Sequence, residues 1–500
     1  MRKRAVYRDS GGQLGTLTPN QPIWYSQSII GMLPHLDLDP QSATPLYRQL
    51  HEQIRSAILA GGMADGERIP PTRELAQSIG LNRATITAAF DVLESEGLIR
   101  REVGRGSFVI GSSTQEAPAT ISFSASRPSE IMFPLDEFRA TCREVIDSDD
   151  AAQILQLGPA GGYGPLRRHL LNEARQRGTA GEDDDILVTS GCQQAFDLIQ
   201  RVLAARGETV LIEDPVYPGL RNAFLRGGAR VIGMPVGREG VEVDALGALL
   251  EKEKPRLMVL TPNFQNPTGS TLPVESRRTI LTLAKRAGVI VVENDLYGEL
   301  RYHGAEVPTM KRLDESGDTI LLGSFSKIAF PGLRVGWAIG PKHIIARLTE
   351  AKEASDLHSD QLSQAVVLRF AESGRLAAHR EKMLTAGALR LKATLVACGT
   401  ELPAGSTFTK PEGGMNVWVE LPRPLDASDL ATRAERENVS FLPGRYFAVT
   451  RPQVHGLRLS FAGLTPENIR HGMSILGLIF RTEQQRAQRK QSGEPAPALV

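Results

Sequence analysis

Apolar residues recur at three- and four-residue steps through Tyr47, Leu50, Ile54, Ala57 and Ile58, the stripe of a helix that packs on a small core. Gly61, Gly62 and Gly66 end that run. The next periodic stretch predicts a helix over 72–79, closed by Gly80 in a left-handed turn. Asn82 is then the N-cap of a third helix carrying Arg83, Thr85, Ile86, Ala89, Phe90 and Leu93. Two helices joined by a tight glycine turn make a helix-turn-helix. Leu98–Val103 and Ser107–Ile110 flank Gly104-Arg105-Gly106, which predicts two short strands and a wing with an arginine at its tip.

Beyond the wing the pattern changes. Residues 113–132 are assigned to a linker: Gly111–Pro118 is rich in Gly, Ser, Thr and Pro without periodicity, and apolar residues return over Ile121–Pro134. From there to residue 481, β-rich runs alternate with helical ones. Ile186–Ser190, Thr209–Glu213, Arg230–Met234, Arg256–Leu260, Val289–Glu293 and Thr319–Leu322 are the predicted strands. That alternation predicts an α/β domain with a large, mostly parallel sheet under helices and a smaller α/β subdomain. Ligands of such sheets bind beyond the carboxyl ends of the strands.

Composition narrows the picture. A chain of 500 residues exceeds one ordinary core, in keeping with two domains. The net charge is +1, so nucleic-acid binding has to rest on a local constellation rather than bulk charge. Over Pro45–Ile110 the eight Lys/Arg balance eight Asp/Glu, and placement decides. Arg73 starts the second helix, Arg83 and Thr85 lie on the first turn of the third, and Arg105 tips the wing. Those positions suit contact with base edges and phosphates. Cys142, Cys192 and Cys398 are widely spaced; they give no disulfide framework and no metal pattern, which fits a reducing cytoplasm. No run approaches ~18 apolar residues, so no membrane span is expected. Residues 1–44 read as a poorly ordered extension, and 482–500, polar and then Pro/Ala-rich, as a disordered tail.

The candidate chemistry gathers around Gly323–Trp337. Lys327 can form a Schiff base with an aldehyde, and Ser324, Ser326 and Arg334 are the groups a phosphate dianion wants. Ser190-Gly191-Cys192 sits at a strand-to-helix turn, where free N–H groups and the helix dipole also suit phosphate. Tyr217 can stack on a planar ring, and Asn266 offers an amide to a phenolic oxygen. Glu293-Asn294-Asp295-Leu296-Tyr297 offers a carboxylate for a pyridine nitrogen and a hydroxyl. Arg458 is a strand-borne cation suited to a carboxylate.

Two resemblances follow from these residues. Pro45–Leu50, Arg73–Ala76, Asn82–Ile86 and Gly104–Val109 resemble the GntR-type winged helix-turn-helix, assigned here to 45–112. That resemblance implies double-stranded operator DNA as partner, touched through Arg73, Arg83, Thr85 and Gly106, with Pro71 replacing the usual capping serine. The stretch 133–481 resembles class I/II aminotransferases of pyridoxal phosphate fold type I. By that resemblance pyridoxal 5'-phosphate is the cofactor and Lys327 carries its aldimine. Ser190, Gly191, Cys192, Ser324, Ser326 and Arg334 then hold its phosphate, and Tyr217 stacks on its ring. Asn266 and Tyr297 hold its phenolic oxygen, and Arg458 takes a carboxylate.

The fusion resembles the MocR/GabR-type transcriptional regulators, which implies a cytoplasmic homodimer sensing the cofactor or a small amino compound. Three departures make turnover weak or absent in this reading. Asn294 stands where the aspartate that pairs with the pyridine nitrogen is usual, so Asn294 and Asp295 both remain candidates. Leu157 replaces a tyrosine that reaches the partner's phosphate, and Cys192 replaces a small hydroxyl residue. The alternative is an active aminotransferase with an attached DNA-binding domain.

Overall fold

The computed structural model describes residues 7–8, 14–15, 36, 38–40, 42, 44–59, 62–63, 66–102, 106–110 and 120–492. The chain divides into two compact units, with the boundary between Ala119 and Thr120.

In the first unit, α1 (Leu46–Leu59), α2 (Thr72–Ile79) and α3 (Arg83–Ser95) pack beside β1 (Arg68–Ile69), β2 (Ile99–Glu102) and β3 (Gly106–Val109). The strands form an antiparallel sheet in the order β1-β3-β2. Leu50, Ile54, Leu75, Ile86, Phe90, Leu93, Ile99 and Val109 close the core. The turn between α2 and α3 follows local chemistry. Gly80 takes φ 68°, and the Asn82 side chain accepts the Ala84 N–H at 2.9 Å. Pro71 opens α2 without a side-chain cap, which its fixed φ and missing N–H allow.

In the second unit, an eight-stranded sheet uses β5 (Asp184–Thr189), β6 (Thr209–Asp214), β7 (Arg230–Gly237), β8 (Gly240–Val241), β9 (Leu257–Leu260), β10 (Ile290–Asn294), β11 (Ile320–Ser324) and β12 (Gly336–Pro341). Their order is β8-β7-β6-β9-β10-β11-β12-β5. Strands β7, β6, β9, β10 and β11 are mutually parallel, while β12 runs antiparallel to both of its neighbours. The interior strands are continuous apolar runs, as in Leu257–Leu260, because helices cover both faces. On one face α6 (Cys192–Leu203) and α10 (Lys342–Asp356) bury Leu187, Val210, Val292 and Leu322. After β6 the chain first builds β7 on one side and later β9 on the other, which opens a crevice at the carboxyl ends.

The smaller lobe is an antiparallel sheet, β13 (Thr407–Phe408), β14 (Asn416–Glu420), β17 (Gly456–Ser460) and β16 (Leu442–Pro443), in that spatial order. Against it pack α12 (Arg375–Glu401) and α14 (Pro466–Ser492), with Val417, Val419, Leu457 and Leu459 turned into the core.

Two boundaries need correction. The linker assigned to 113–132 ends earlier. β4 (Ile121–Ser122) pairs in parallel with β15 (Val439–Ser440), and Phe123 is fully buried, so 120–132 belongs to the second unit. Residues 482–492, assigned to the tail, are helical instead, because α14 continues to Ser492. Polar contacts hold that extension where apolar ones are missing: Glu483 pairs with Arg433 and Arg486, and Gln484 donates to the Ala404 carbonyl at 3.0 Å. Residues 493–500 lie outside the described residues.

Candidate functional site

The crevice residues follow the ends of adjacent strands. Lys327 ends a 3₁₀ turn, Phe325–Lys327, directly after β11. Its Nζ donates to the Ser126 carbonyl at 2.8 Å and stands 5.6 Å from the centre of the Tyr297 ring. Ser324 Oγ accepts the Ser326 N–H at 3.1 Å, which turns the chain at the strand end just before Lys327.

Beside Lys327 lies a cationic cradle. Arg334 takes a left-handed backbone (φ 55°, ψ 42°), and its guanidinium donates to Ser326 Oγ at 3.3 Å and to the Ser190 carbonyl at 3.2 Å. Gly191 precedes α6 at φ 78°, ψ 170°. A Cβ there would lie 2.2 Å from Arg334 Nη2, so only glycine leaves room for the guanidinium. The first N–H groups of α6, two serine hydroxyls and one arginine thus converge on a single spot, the donor set a phosphate requires. Sequence reasoning missed the parts that brace it. Ser359 Oγ lies 3.1 Å from Ser190 Oγ, and Gln194 accepts the Ser190 N–H at 2.8 Å. Gln194 in turn donates to Asp356, which the fully buried Lys352 holds at 2.8 Å. Cys192 is packing: its thiol faces the Gly323 carbonyl at 3.4 Å, and burial pushes it up to about 12.

The other side of the crevice is built by β6, β9 and β10. Tyr217 follows β6 and remains 46% exposed. Asn266 follows β9; its amide nitrogen lies 3.3 Å from Tyr297 Oη, and its oxygen accepts from Arg458 at 3.0 Å. Arg458, on β17, also donates to the Ser124 carbonyl, and burial lowers it to about 10.

The structure separates the two neighbours after β10. Asn294 is buried, on the same side of the strand as Val292, whose core cluster includes Cys192 and Leu322; its amide nitrogen donates to Thr261 Oγ1 at 3.2 Å. Its Oδ1 finds no partner among the described residues. Asp295 accepts from Asn263 at 2.9 Å, and Asn263 accepts from the fully buried Arg277 at 2.7 Å. Burial raises the Asp295 carboxyl above its ordinary range. Asp295 also borders a cavity of about 730 Å³ whose wall includes Leu321, Trp337 and Ile339, on the sheet face away from α6. Leu157 is 77% exposed.

In the first unit Arg73 and Arg83 are exposed on the first turns of α2 and α3, and Thr85 is half-buried. Gly106 takes φ 120°, and a Cβ there would lie 2.9 Å from Arg68 Nε. Arg68 is thus an exposed cation beside the wing that the sequence pattern did not single out. Arg105 lies outside the described residues.

Comparison with known proteins agrees with this geometry. Residues 133–476 match the family described as aminotransferase class I and II, and the chain belongs to that family. Residues 46–109 match the bacterial regulatory proteins of the gntR family, so the first unit is a GntR domain set ahead of an aminotransferase domain. The chain is 37% identical to a 2-aminoadipate transaminase of Thermus thermophilus, over 72% of this chain and 90% of that protein. Across both domains it is 28% identical to the probable rhizopine catabolism regulatory protein MocR of Rhizobium meliloti, over 89% of this chain and 96% of that protein. Among solved structures, the kynurenine aminotransferase of Pyrococcus horikoshii, in complex with PMP, superposes with a TM-score of 0.71 at 35% identity, covering 74% of this chain and 92% of that one. No helix among the described residues is long and apolar enough to cross a membrane.

Proposed function

We propose that this protein is a cytoplasmic, DNA-binding transcriptional regulator of the MocR type, whose aminotransferase domain holds pyridoxal 5'-phosphate and reads the cofactor itself or an amino compound. The observation that carries the reading is the placing of Lys327 beside the Arg334–Gly191 cradle, in a chain whose residues 46–109 match the gntR family. The residues fit the cofactor. The cradle offers donors to its phosphate, the Tyr297 ring lies beside Lys327, and Asn294, which keeps an orphaned Oδ1, ends β10. When bound, the cofactor supplies an aldehyde that condenses with amines and a ring that withdraws electrons.

The protein's own groups do the rest. Lys327 is the amine that would tether the aldehyde, and its Nζ would then turn from the Ser126 carbonyl. Arg458, held by the Ser124 carbonyl and Asn266, keeps an Nε–H free for a ligand carboxylate. Asn294, a neutral amide where a carboxylate is usual, leaves the ring a poorer electron sink. That favours sensing over turnover. A ligand that binds one state of the lobe better shifts the population toward it, and the DNA-binding domain reads the shift. Exposed Leu157 and Ile131, the latter 88% accessible, support a homodimer that covers them.

The second reading, a working aminotransferase, is favoured by the likeness to the 2-aminoadipate transaminase. Incubation with an amino-acid panel and 2-oxoglutarate separates the two, since sustained product formation would demote the regulator. The cofactor assignment is tested by absorbance. Wild type should bind pyridoxal phosphate with an absorption band that borohydride fixes onto Lys327. Lys327→Ala should lose the fixable band, and equal fixation in that variant would overturn the assignment.

A further inference from the structure

The sheet face of the smaller lobe that carries Arg458 holds a residue that no motif singled out. Asn416 lies on β14, opposite Ser460 of β17, and Trp418 lies opposite Arg458. Alternation puts Val417, Val419, Leu457 and Leu459 into the lobe's core, so Asn416, Trp418, Arg458 and Ser460 share the other face. Asn416 is 1% exposed, yet neither its amide nitrogen nor its amide oxygen has a partner among the described residues. Arg458, its diagonal neighbour across the strands, is 4% exposed and likewise has an unpartnered Nε.

Buried amides without partners are rare in folded proteins and costly to keep, and each calls for an explanation. Here two orphaned N–H donors, one neutral and one cationic, sit on one face of one sheet. Apolar walls stand beside them: the Phe447 ring lies 5.0 Å from the Arg458 guanidinium carbon and edge-on to Trp418. A carboxylate offers the complementary acceptors, two oxygens able to take Arg458 Nε–H and Asn416 Nδ2–H together.

Resting on the reading above, we propose that Asn416 is a specificity-determining residue that shares a ligand carboxylate with Arg458. Among amino compounds the effector class is then an amino acid rather than a simple amine. Asn416→Leu keeps the side chain's size and removes two orphaned groups, so it should fold at least as well as wild type. Asn416→Asp sets a carboxylate against the ligand's own.

The test uses the full chain loaded with pyridoxal phosphate, with the cofactor's absorbance shift as readout. L-Leucine and L-phenylalanine are titrated beside 3-methylbutylamine and 2-phenylethylamine, which lack the carboxylate. Wild type should respond to at least one of the amino acids at tenfold or more lower concentration than to its matched amine. Asn416→Leu should weaken that amino-acid response at least tenfold and Asn416→Asp further, with the amine response and cofactor affinity unchanged. An intact cofactor spectrum with an unaltered amino-acid response in Asn416→Leu, equal losses for amine and amino acid, or no wild-type preference for the carboxylate would overturn this inference alone. Absence of any Lys327-linked cofactor in wild type would instead overturn the reading beneath it.

Discussion

Gly191→Ala tests the cradle at its tightest point. Gly191 has φ 78° and ψ 170°, a region open essentially to glycine alone, so any side chain adds strain of about 1–3 kcal/mol. Its new Cβ would also lie 2.2 Å from Arg334 Nη2 and 2.8 Å from Cζ. The guanidinium is the mobile tip of an exposed side chain, so it swings away rather than blocking folding. It then gives up the Ser190 carbonyl and its place at the phosphate. A charge-assisted hydrogen bond contributes roughly 1.5–3 kcal/mol, and exposure puts Arg334 near the lower end. The expected loss of cofactor affinity is therefore roughly ten- to thirtyfold, accompanied by a drop of a few degrees in melting temperature. Titration of apoprotein with pyridoxal phosphate, followed by absorbance, measures the first; calorimetry measures the second. Arg334→Ala separates the causes, because it should lose similar affinity without the backbone strain. Wild-type cofactor affinity in Gly191→Ala would refute the cradle.

Arg83→Ala should weaken binding to a DNA sequence selected in vitro by roughly ten- to a hundredfold, the worth of a good base contact, while cofactor absorbance stays unchanged; an unaltered Kd by fluorescence anisotropy would count against α3 as the recognition helix. Burial pushes the Glu213 carboxyl up to about 8, although it accepts the Thr261 N–H and a Gln265 N–H. An unfolded Glu ionises near about 4.3, so between that pH and 8 the folded state keeps a proton the unfolded chain has lost, and stability falls as pH rises. Glu213→Gln should flatten that decline, visible as urea midpoints that converge with wild type at pH 5 and exceed it at pH 8; parallel curves would contradict the buried, protonated carboxyl.

What could be read from the chain alone, and what could not, divides along physical lines. Gly80 and Asn82 announce the turn between α2 and α3 because their caps depend on neighbours within a few residues. The positions of Tyr217, Asn266, Tyr297 and Lys327 beyond strand ends were legible because each follows an apolar run. Strand β12 was not, since nothing in Gly336–Pro341 says that it inserts antiparallel between β11 and β5. The carbonyls of Ser124 and Ser126, which hold Arg458 and Lys327, act through backbone and leave no side-chain signature. That Asn294 turns to Thr261 and Asp295 to Asn263 was not legible, because adjacent residues at a strand end differ only in direction. Residues 482–492 read as disordered because their helix is held by ion pairs and hydrogen bonds, which composition does not reveal.

The central claim is that the occupancy of one lysine alters how the protein holds DNA. Fluorescence anisotropy on the in vitro selected DNA, with and without pyridoxal phosphate, in wild type and in Lys327→Ala, tests it most directly. The account predicts that the cofactor shifts the wild-type Kd by fivefold or more, the span of an ordinary coupling free energy of about 1 kcal/mol or above, and leaves that of Lys327→Ala where it was. The same affinity in all four combinations, or an equal shift in Lys327→Ala, would contradict it.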